Sequence, residues 1–74
     1  MNTENQTVEN FTLDDDVVII GCNFRGKIVA ISYDPDDRRG QRLYKDGFDG
    51  IVYDIKLNEC QLIMHVFTQD LRKA

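Results

Sequence analysis

Residues 51–66 carry an alternation of apolar side chains that constrains the fold more than any other part of the sequence. A two-residue turn at Asn58 and Glu59 pairs the flanking residues symmetrically. The apolar pairs in this register are Leu57 with Cys60, Ile55 with Leu62, Tyr53 with Met64, and Ile51 with Val66. Because side chains alternate between the two faces of a strand, all eight share one face. The sequence therefore predicts an antiparallel hairpin with its apolar face in a core.

The opposite face of this hairpin is mixed in character. Its pairs are Lys56 with Gln61, Asp54 with Ile63, and Val52 with His65. A one-residue slip would expose the whole apolar set, so the two faces are well specified. Val52 and Ile63 make the mixed face more apolar than a free surface needs to be, and it is a candidate contact surface.

Length and charge limit what the rest of the chain can be. The 74 residues allow one small domain. The net charge is −4, but the first sixteen residues carry −5 and the remainder +1. We therefore expect a flexible acidic arm over residues 1–15, in which Phe11 and Leu13 are candidates for docking, and a folded domain over residues 16–74. Neither a signal peptide nor an apolar span is visible, which predicts a cytoplasmic protein without membrane contact.

The remaining strands are predicted from short apolar, β-branched runs bounded by turn residues. They are a first strand at residues 17–20, a second at residues 27–33, the hairpin at residues 50–67, and a last strand at residues 71–73. The second run does not alternate strictly, which predicts a β-bulge. Thr68, Gln69 and Asp70 predict one helical turn, with Thr68 as its cap.

Three segments resemble parts of small SH3-like barrels of the Tudor, KOW and phage-encoded kinds. They are Gly-Lys-Ile-Val-Ala-Ile at residues 26–31, Tyr-Asp-Ile-Lys-Leu at residues 53–57, and Val-Phe-Thr-Gln-Asp-Leu at residues 66–71. The resemblance covers about residues 16–73 and implies an all-β, five-stranded SH3-like barrel. The family usually has Asp-Gly in the hairpin turn, where this chain has Asn58 and Glu59. The resemblance also implies a phage or mobile-element accessory protein that inhibits or adapts a host factor.

No catalytic, metal or cofactor motif is recognisable. His65 is the only histidine, and the chain has no glycine-rich phosphate loop. Asp34 and Asp36 have calcium-loop spacing, but Arg38 stands where a ligand oxygen belongs. Cys22 and Cys60 sit among apolar residues and are expected to be buried. The sequence therefore predicts a non-enzymatic protein without metal or cofactor.

The long loop at residues 34–49 is the most informative feature for function. Nine of its sixteen residues are charged, and arginines alternate with aromatic residues as in interface hot spots. Its net charge is −1, which favours a protein partner over a phosphate backbone. The predicted partner-binding residues are Arg38, Arg39, Arg42, Tyr44 and Phe48 from the loop, and Val52, Ile63 and His65 from the mixed face of the hairpin.

Three alternatives remain open at this point. A nucleic-acid-binding barrel of the KOW kind would place a basic set on phosphates, namely Arg25, Lys27, Arg38, Arg39 and Arg42. A homo-oligomeric structural protein would pair through a strand edge bearing Val52 and Ile63. A Tudor-like aromatic cage would need a second set, namely Tyr33, Tyr44, Phe48 and Tyr53. Protein binding is the leading hypothesis.

Overall fold

The computed structural model describes residues 11–74, which form five strands, one short helix and one 3-10 turn. The strands are β1 (Asp16–Ile19), β2 (Phe24–Tyr33), β3 (Ile51–Leu57), β4 (Ile63–Phe67) and β5 (Leu71–Lys73). The helix α1 (Arg38–Leu43) follows β2, and the 3-10 turn (Thr68–Asp70) separates β4 from β5. The predicted all-β class is confirmed. The first ten residues of the predicted arm lie outside the described residues, so the flexibility of those ten stays a prediction.

All five strands belong to one antiparallel sheet with the order β4-β3-β2-β1-β5. The strands at the two edges are β4 and β5, and within residues 11–74 they do not pair with each other. The structure therefore establishes a five-stranded antiparallel sheet, while closure into a barrel stays a prediction.

The β3–β4 hairpin forms, but its predicted register is wrong by two residues. Tyr53 lies opposite Val66, and Ile55 lies opposite Met64. A shift of two is one full side-chain repeat, so each strand residue keeps its predicted face. Tyr53, Ile55 and Val66 are buried, and Leu57 with them. The hairpin is therefore correct in its faces and incorrect in its partners.

A longer connection causes the register error. The strands end at Leu57 and begin again at Ile63, and Gln61 adopts the left-handed region with φ 63°. The Leu57 amide donates to the Leu62 carbonyl, while the Gln61 amide donates to the Leu57 carbonyl. Asn58 and the residue after it lack the glycine that a tight primed turn favours. The predicted two-residue turn is therefore wrong.

The cysteine prediction is also wrong, because Cys22 and Cys60 are both exposed and both free. Cys60 belongs to the long hairpin connection, and Cys22 to the turn between β1 and β2. Their apolar neighbours are explained by the strands that these turns join. Leu62, which the predicted register placed in the core, is 64% exposed for the same reason.

The predicted bulge in β2 is confirmed by a register shift between Ile28 and Ala30. Before the bulge Ile28 lies opposite Ile55, and after it Ile31 lies opposite Tyr53. Val29 is the extra residue, and its side chain is exposed. The bulge thus explains why apolar residues in β2 do not alternate.

The main core lies on the face of the sheet that carries Tyr53, Ile55 and Leu57, hereafter the core face. Its buried members are Phe11, Val17, Ile19, Ile28, Tyr53, Ile55, Leu57, Val66 and Leu71. Phe11 contacts Tyr53 edge to face with ring centroids 5.6 Å apart, whereas Leu13 is 56% exposed. Of the two apolar residues considered for docking, only Phe11 packs into the core.

The opposite face, which carries Val52, Asp54 and Lys56, is the outer face. At one end it holds a second apolar layer, where Phe67 is buried beneath the 34–49 connection. That connection was expected to be irregular, and this expectation is wrong because it contains α1. Asp37 caps the helix by accepting the Gly40 amide at 2.9 Å.

The 3-10 turn before β5 is confirmed at Thr68–Asp70. Thr68 does not cap it, since Phe67 occupies the cap position and the Thr68 hydroxyl is buried without a partner among the described residues. Within residues 11–74, no helix has the length and apolar character needed to cross a membrane.

Candidate functional site

Arg39 is the first of the predicted partner-binding residues that the fold itself uses. Its guanidinium lies over the Phe67 ring, 4.9 Å from the centroid, in a cation–π contact. Its Nη2 also donates to the His65 carbonyl oxygen at 2.6 Å. Because β4 is an edge strand, this hydrogen bond connects α1 to the rim of the sheet.

Tyr44 and Phe48 also pack against Phe67. Phe48 meets that ring edge to face at 5.4 Å, and Tyr44 does so at 6.3 Å. The Tyr44 hydroxyl donates to the Asp70 carboxylate. This hydrogen bond, with burial and the Asp70 charge adding to it, raises the pKa of Tyr44 to about 12. Both aromatic residues therefore hold the connection on the sheet.

The remaining predicted residues differ in exposure. Val52 is buried on the outer face, beside Phe67 in the register. Arg38 and Arg42 are exposed on α1, and Ile63 is 53% exposed on β4. His65 is exposed and lies opposite Asp54. The structure thus brings part of the predicted set together around Phe67 and leaves Arg38, Arg42, Ile63 and His65 facing solvent.

A groove of about 450 Å³ lies between the 34–49 connection and the outer face of β2, β3 and β4. Its lining residues are Ser32, Asp34, Asp37, Arg39, Val52, Asp54 and His65. Three are carboxylates, and the Arg39 guanidinium is held by Phe67 and the His65 carbonyl. The groove therefore presents a net negative lining on an apolar base formed by Val52.

Asp54 and His65 form the most chemically suggestive pair in this groove. The Asp54 Oδ1 and His65 Nδ1 atoms are 2.6 Å apart, an arrangement that orients an imidazole. Ser32 is on β2, two strands from His65, so their backbones are about 10 Å apart across the sheet. Ser32 therefore lies beyond hydrogen-bond reach of the pair, measured between the backbones.

Two kinds of ligand site considered from the sequence, a metal site and an aromatic cage, can be compared with the positions of the side chains. Within residues 11–74, no three His, Cys, Asp or Glu side chains are grouped so as to hold a metal ion. The four aromatic residues of the proposed cage divide between the two faces of the sheet. Tyr33 and Tyr53 are on the core face, whereas Tyr44 and Phe48 pack against Phe67 on the outer face. They do not form one cage.

The groove carboxylates were not predicted as binding residues. From the sequence, Asp34 is considered only for its calcium-loop spacing, Asp37 only for its share of the loop charge, and Asp54 as one residue of the mixed face. Asp34 and Asp37 lie just before α1, and Asp54 lies midway along β3. These positions indicate a shared site only after α1 has been recognised as a helix. A helix cap at Asp37, three residues before a buried glycine, is that signal.

Comparison with known proteins gives no relative: no family model matches the sequence, no curated protein matches it, and no solved structure matches the fold. Membership of the SH3-like families therefore stays a prediction from short sequence segments.

Proposed function

We propose that this chain is a non-enzymatic protein-binding module of SH3-like fold, whose outer-face groove receives a basic side chain of a partner protein. The observation that supports it is the groove between the 34–49 connection and the sheet, with Asp34, Asp37 and Asp54 in its lining. A lysine or arginine side chain offers the aliphatic stem for Val52 and the charge for the carboxylates.

The charges already present in the groove leave room for such a cation. The Arg39 guanidinium is stacked on Phe67 and hydrogen-bonded to a backbone carbonyl, and among residues 11–74 it forms no ion pair. Asp37 accepts the Gly40 amide with one oxygen and keeps the other for a ligand. Asp34 lines the groove at the end of β2 and is exposed.

The surrounding surface supplies further contact area. Ile63 and Leu43 are 53% and 56% exposed, and Arg38 and Arg42 are exposed on α1. Apolar and arginine side chains beside a groove are common at protein interfaces. A role as a phage or mobile-element accessory protein that inhibits or adapts a host factor completes the proposal and rests on the sequence resemblance.

Capture of partners from the native host extract, after nuclease treatment, tests the proposal. The test variant is the double substitution Asp34→Asn and Asp54→Asn, which removes two groove charges with little change in size. We expect the affinity for the captured protein to fall about tenfold, equivalent to about 1.4 kcal/mol. Affinity is measured by titrating the purified partner.

The matched control is Asp36→Asn with Asp46→Asn, which changes the net charge equally at exposed sites outside the groove lining. Its affinity should equal that of the wild type. Equal capture by the groove variant, or equal weakening in the control, would contradict the assignment of the groove. A partner that is lost on nuclease treatment would contradict protein binding itself.

A further inference from the structure

The outer face carries a cluster of basic side chains at the end away from α1. Val18 lies opposite Arg25 on one side and opposite Arg72 on the other, so all three share this face. Lys27 is two residues from Arg25 on β2 and lies opposite Lys56 on β3. We name the four cations Arg25, Lys27, Lys56 and Arg72 the basic strip, because they lie on one face of the sheet, on strands β2, β3 and β5.

Taken by itself, the Lys27–Lys56 pair destabilises the folded sheet. Residues directly opposite in antiparallel strands have Cβ atoms about 5 Å apart, and like charges at that distance destabilise a sheet. Asp16, opposite Lys27 on its other side, pairs with it at 3.3 Å. Within residues 11–74, no ion pair neutralises Lys56, Arg25 or Arg72. The strip therefore concentrates positive charge beyond what the fold compensates.

The basic strip adjoins the acidic groove on the outer face but is made of different residues. On β3, Lys56 is two residues, about 7 Å, from the groove carboxylate Asp54 and four residues, about 13 Å, from Val52. The groove and α1 lie at the Val52 end, where Phe67 is opposite. Of the basic set predicted for nucleic acid, Arg25 and Lys27 lie in the strip, whereas Arg38, Arg39 and Arg42 belong to α1. The strip thus neighbours the groove but shares none of its lining residues.

We infer that the basic strip binds the phosphate backbone of double-stranded nucleic acid, independently of the groove. Four cations on one sheet face match the charge pattern by which proteins neutralise backbone phosphates. The strip has no aromatic side chain among its members, and Phe24, the nearest along β2, is on the core face opposite Ile19. Single-strand binders combine such charges with stacking aromatics, so a duplex is the better match.

Binding to a short DNA duplex is the direct test, measured by fluorescence anisotropy over a range of salt concentrations. Four neutralised phosphates predict a slope of log K against log salt of about −3.6. The affinity is expected in the non-specific range, about 10⁻⁶ to 10⁻⁴ M. The double variant Arg25→Gln and Lys56→Gln should reduce the magnitude of the slope by about 1.8 and weaken binding at low salt.

The matched control is Arg38→Gln with Arg42→Gln, which removes the same charge from α1. This control should keep the wild-type slope. Absence of duplex binding at low salt, or equal losses in the two double variants, would overturn the inference. Tighter binding of a single-stranded oligonucleotide or of polyglutamate than of the duplex would also overturn it, because each assigns the strip to a different partner.

Chain unfolding is excluded as an explanation by thermal melting of the same variants. Removing Lys56 relieves the repulsion with Lys27, so the strip variant should melt no lower than the wild type. The two experiments are distinguishable because they have separate readouts: duplex affinity and its salt dependence for the strip, and capture of a protein partner for the groove.

Discussion

Tyr44 shows how one side chain that resembles an interface residue can serve the fold instead. Its hydroxyl donates to Asp70, and this raises the pKa of Tyr44 from 10.0 to about 12. Between those two values the folded state binds more protons than the unfolded state, so the free energy of unfolding falls as the pH rises. Below pH 10 the stabilisation is fully present.

We therefore predict that Tyr44→Phe lowers the free energy of unfolding by about 1 kcal/mol below pH 10, the typical net value of one hydrogen bond. The difference from the wild type should shrink as the pH approaches 12. Urea unfolding of both proteins at a series of alkaline pH values measures it. Tyr33→Phe is the control, because Tyr33 is 74% exposed and should show no such difference. A constant gap across the range would contradict the assigned hydrogen bond.

Arg39 and Tyr44 explain why single residues of the site were only partly predictable. A segment rich in arginine and aromatic residues has the same composition whether its side chains face a partner or an internal surface of the protein. In this chain the deciding residue is Phe67, whose ring receives both of them. Phe67 was assigned to the end of a strand, and nothing in its local sequence states that the outer face is covered there.

At the scale of elements, α1 depends on a close approach between Gly40 and Phe48. Gly40 is buried, and a Cβ at this position would overlap the Phe48 ring. The ring is itself fixed against Phe67, so it has little freedom to retreat. This contact limits how near the helix can lie to the sheet.

We predict that Gly40→Ala lowers the free energy of unfolding by about 1–3 kcal/mol, the usual range for overpacking. The gain in helix propensity of about 1 kcal/mol offsets part of this. Gly47→Ala is the control, because its Cβ would meet Gln69 Nε2 at an ordinary 3.4 Å. The control should lie within about 0.5 kcal/mol of the wild type in urea unfolding. Equal stability of Gly40→Ala and wild type would refute the close packing.

The elements differ in how far the sequence determines them. Period-two alternation fixes the faces of β3 and β4 strongly, which is why Tyr53 and Ile55 were correctly placed in the core. The same alternation is unchanged by a two-residue shift, so it cannot specify that Tyr53 pairs with Val66. The helix α1 is only six residues long and contains a glycine, so it has too little periodic signal to be predicted.

At the scale of the whole molecule, the two faces of the sheet differ in composition. The core face holds the main apolar cluster, whereas the outer face is divided between a groove lined by aspartates and a strip of cations. This division follows from register between strands distant in sequence, such as Lys27 with Lys56. Strand existence was predictable from local runs, but such placement was not, since it depends on pairings that no local pattern encodes.

The position of Phe11 extends the folded unit beyond the strands. It packs edge to face on Tyr53 and is 8% exposed, and the Lys73 ammonium lies 5.8 Å from its ring centroid. The turn that follows is fastened as well, because the Asp15 carboxylate accepts the Thr12 amide at 2.9 Å and pairs with Lys73. These contacts lower the pKa of Asp15, the Thr12 amide contributing most. The segment before β1 thus packs against β5, at the opposite end of the described chain.

We predict that Phe11→Ala lowers the free energy of unfolding by about 3 kcal/mol or more, from lost apolar burial and the cavity it leaves. Because a domain of this size holds only about 3–5 kcal/mol in total, a large fraction of the variant should be unfolded at room temperature. Leu13→Ala is the matched control, since Leu13 is 56% exposed two residues later, and its change should stay within about 0.5 kcal/mol. Urea unfolding followed by circular dichroism measures both. Equal stability of the two variants would show that the Phe11 ring is not part of the core, and the folded unit would then begin nearer to β1.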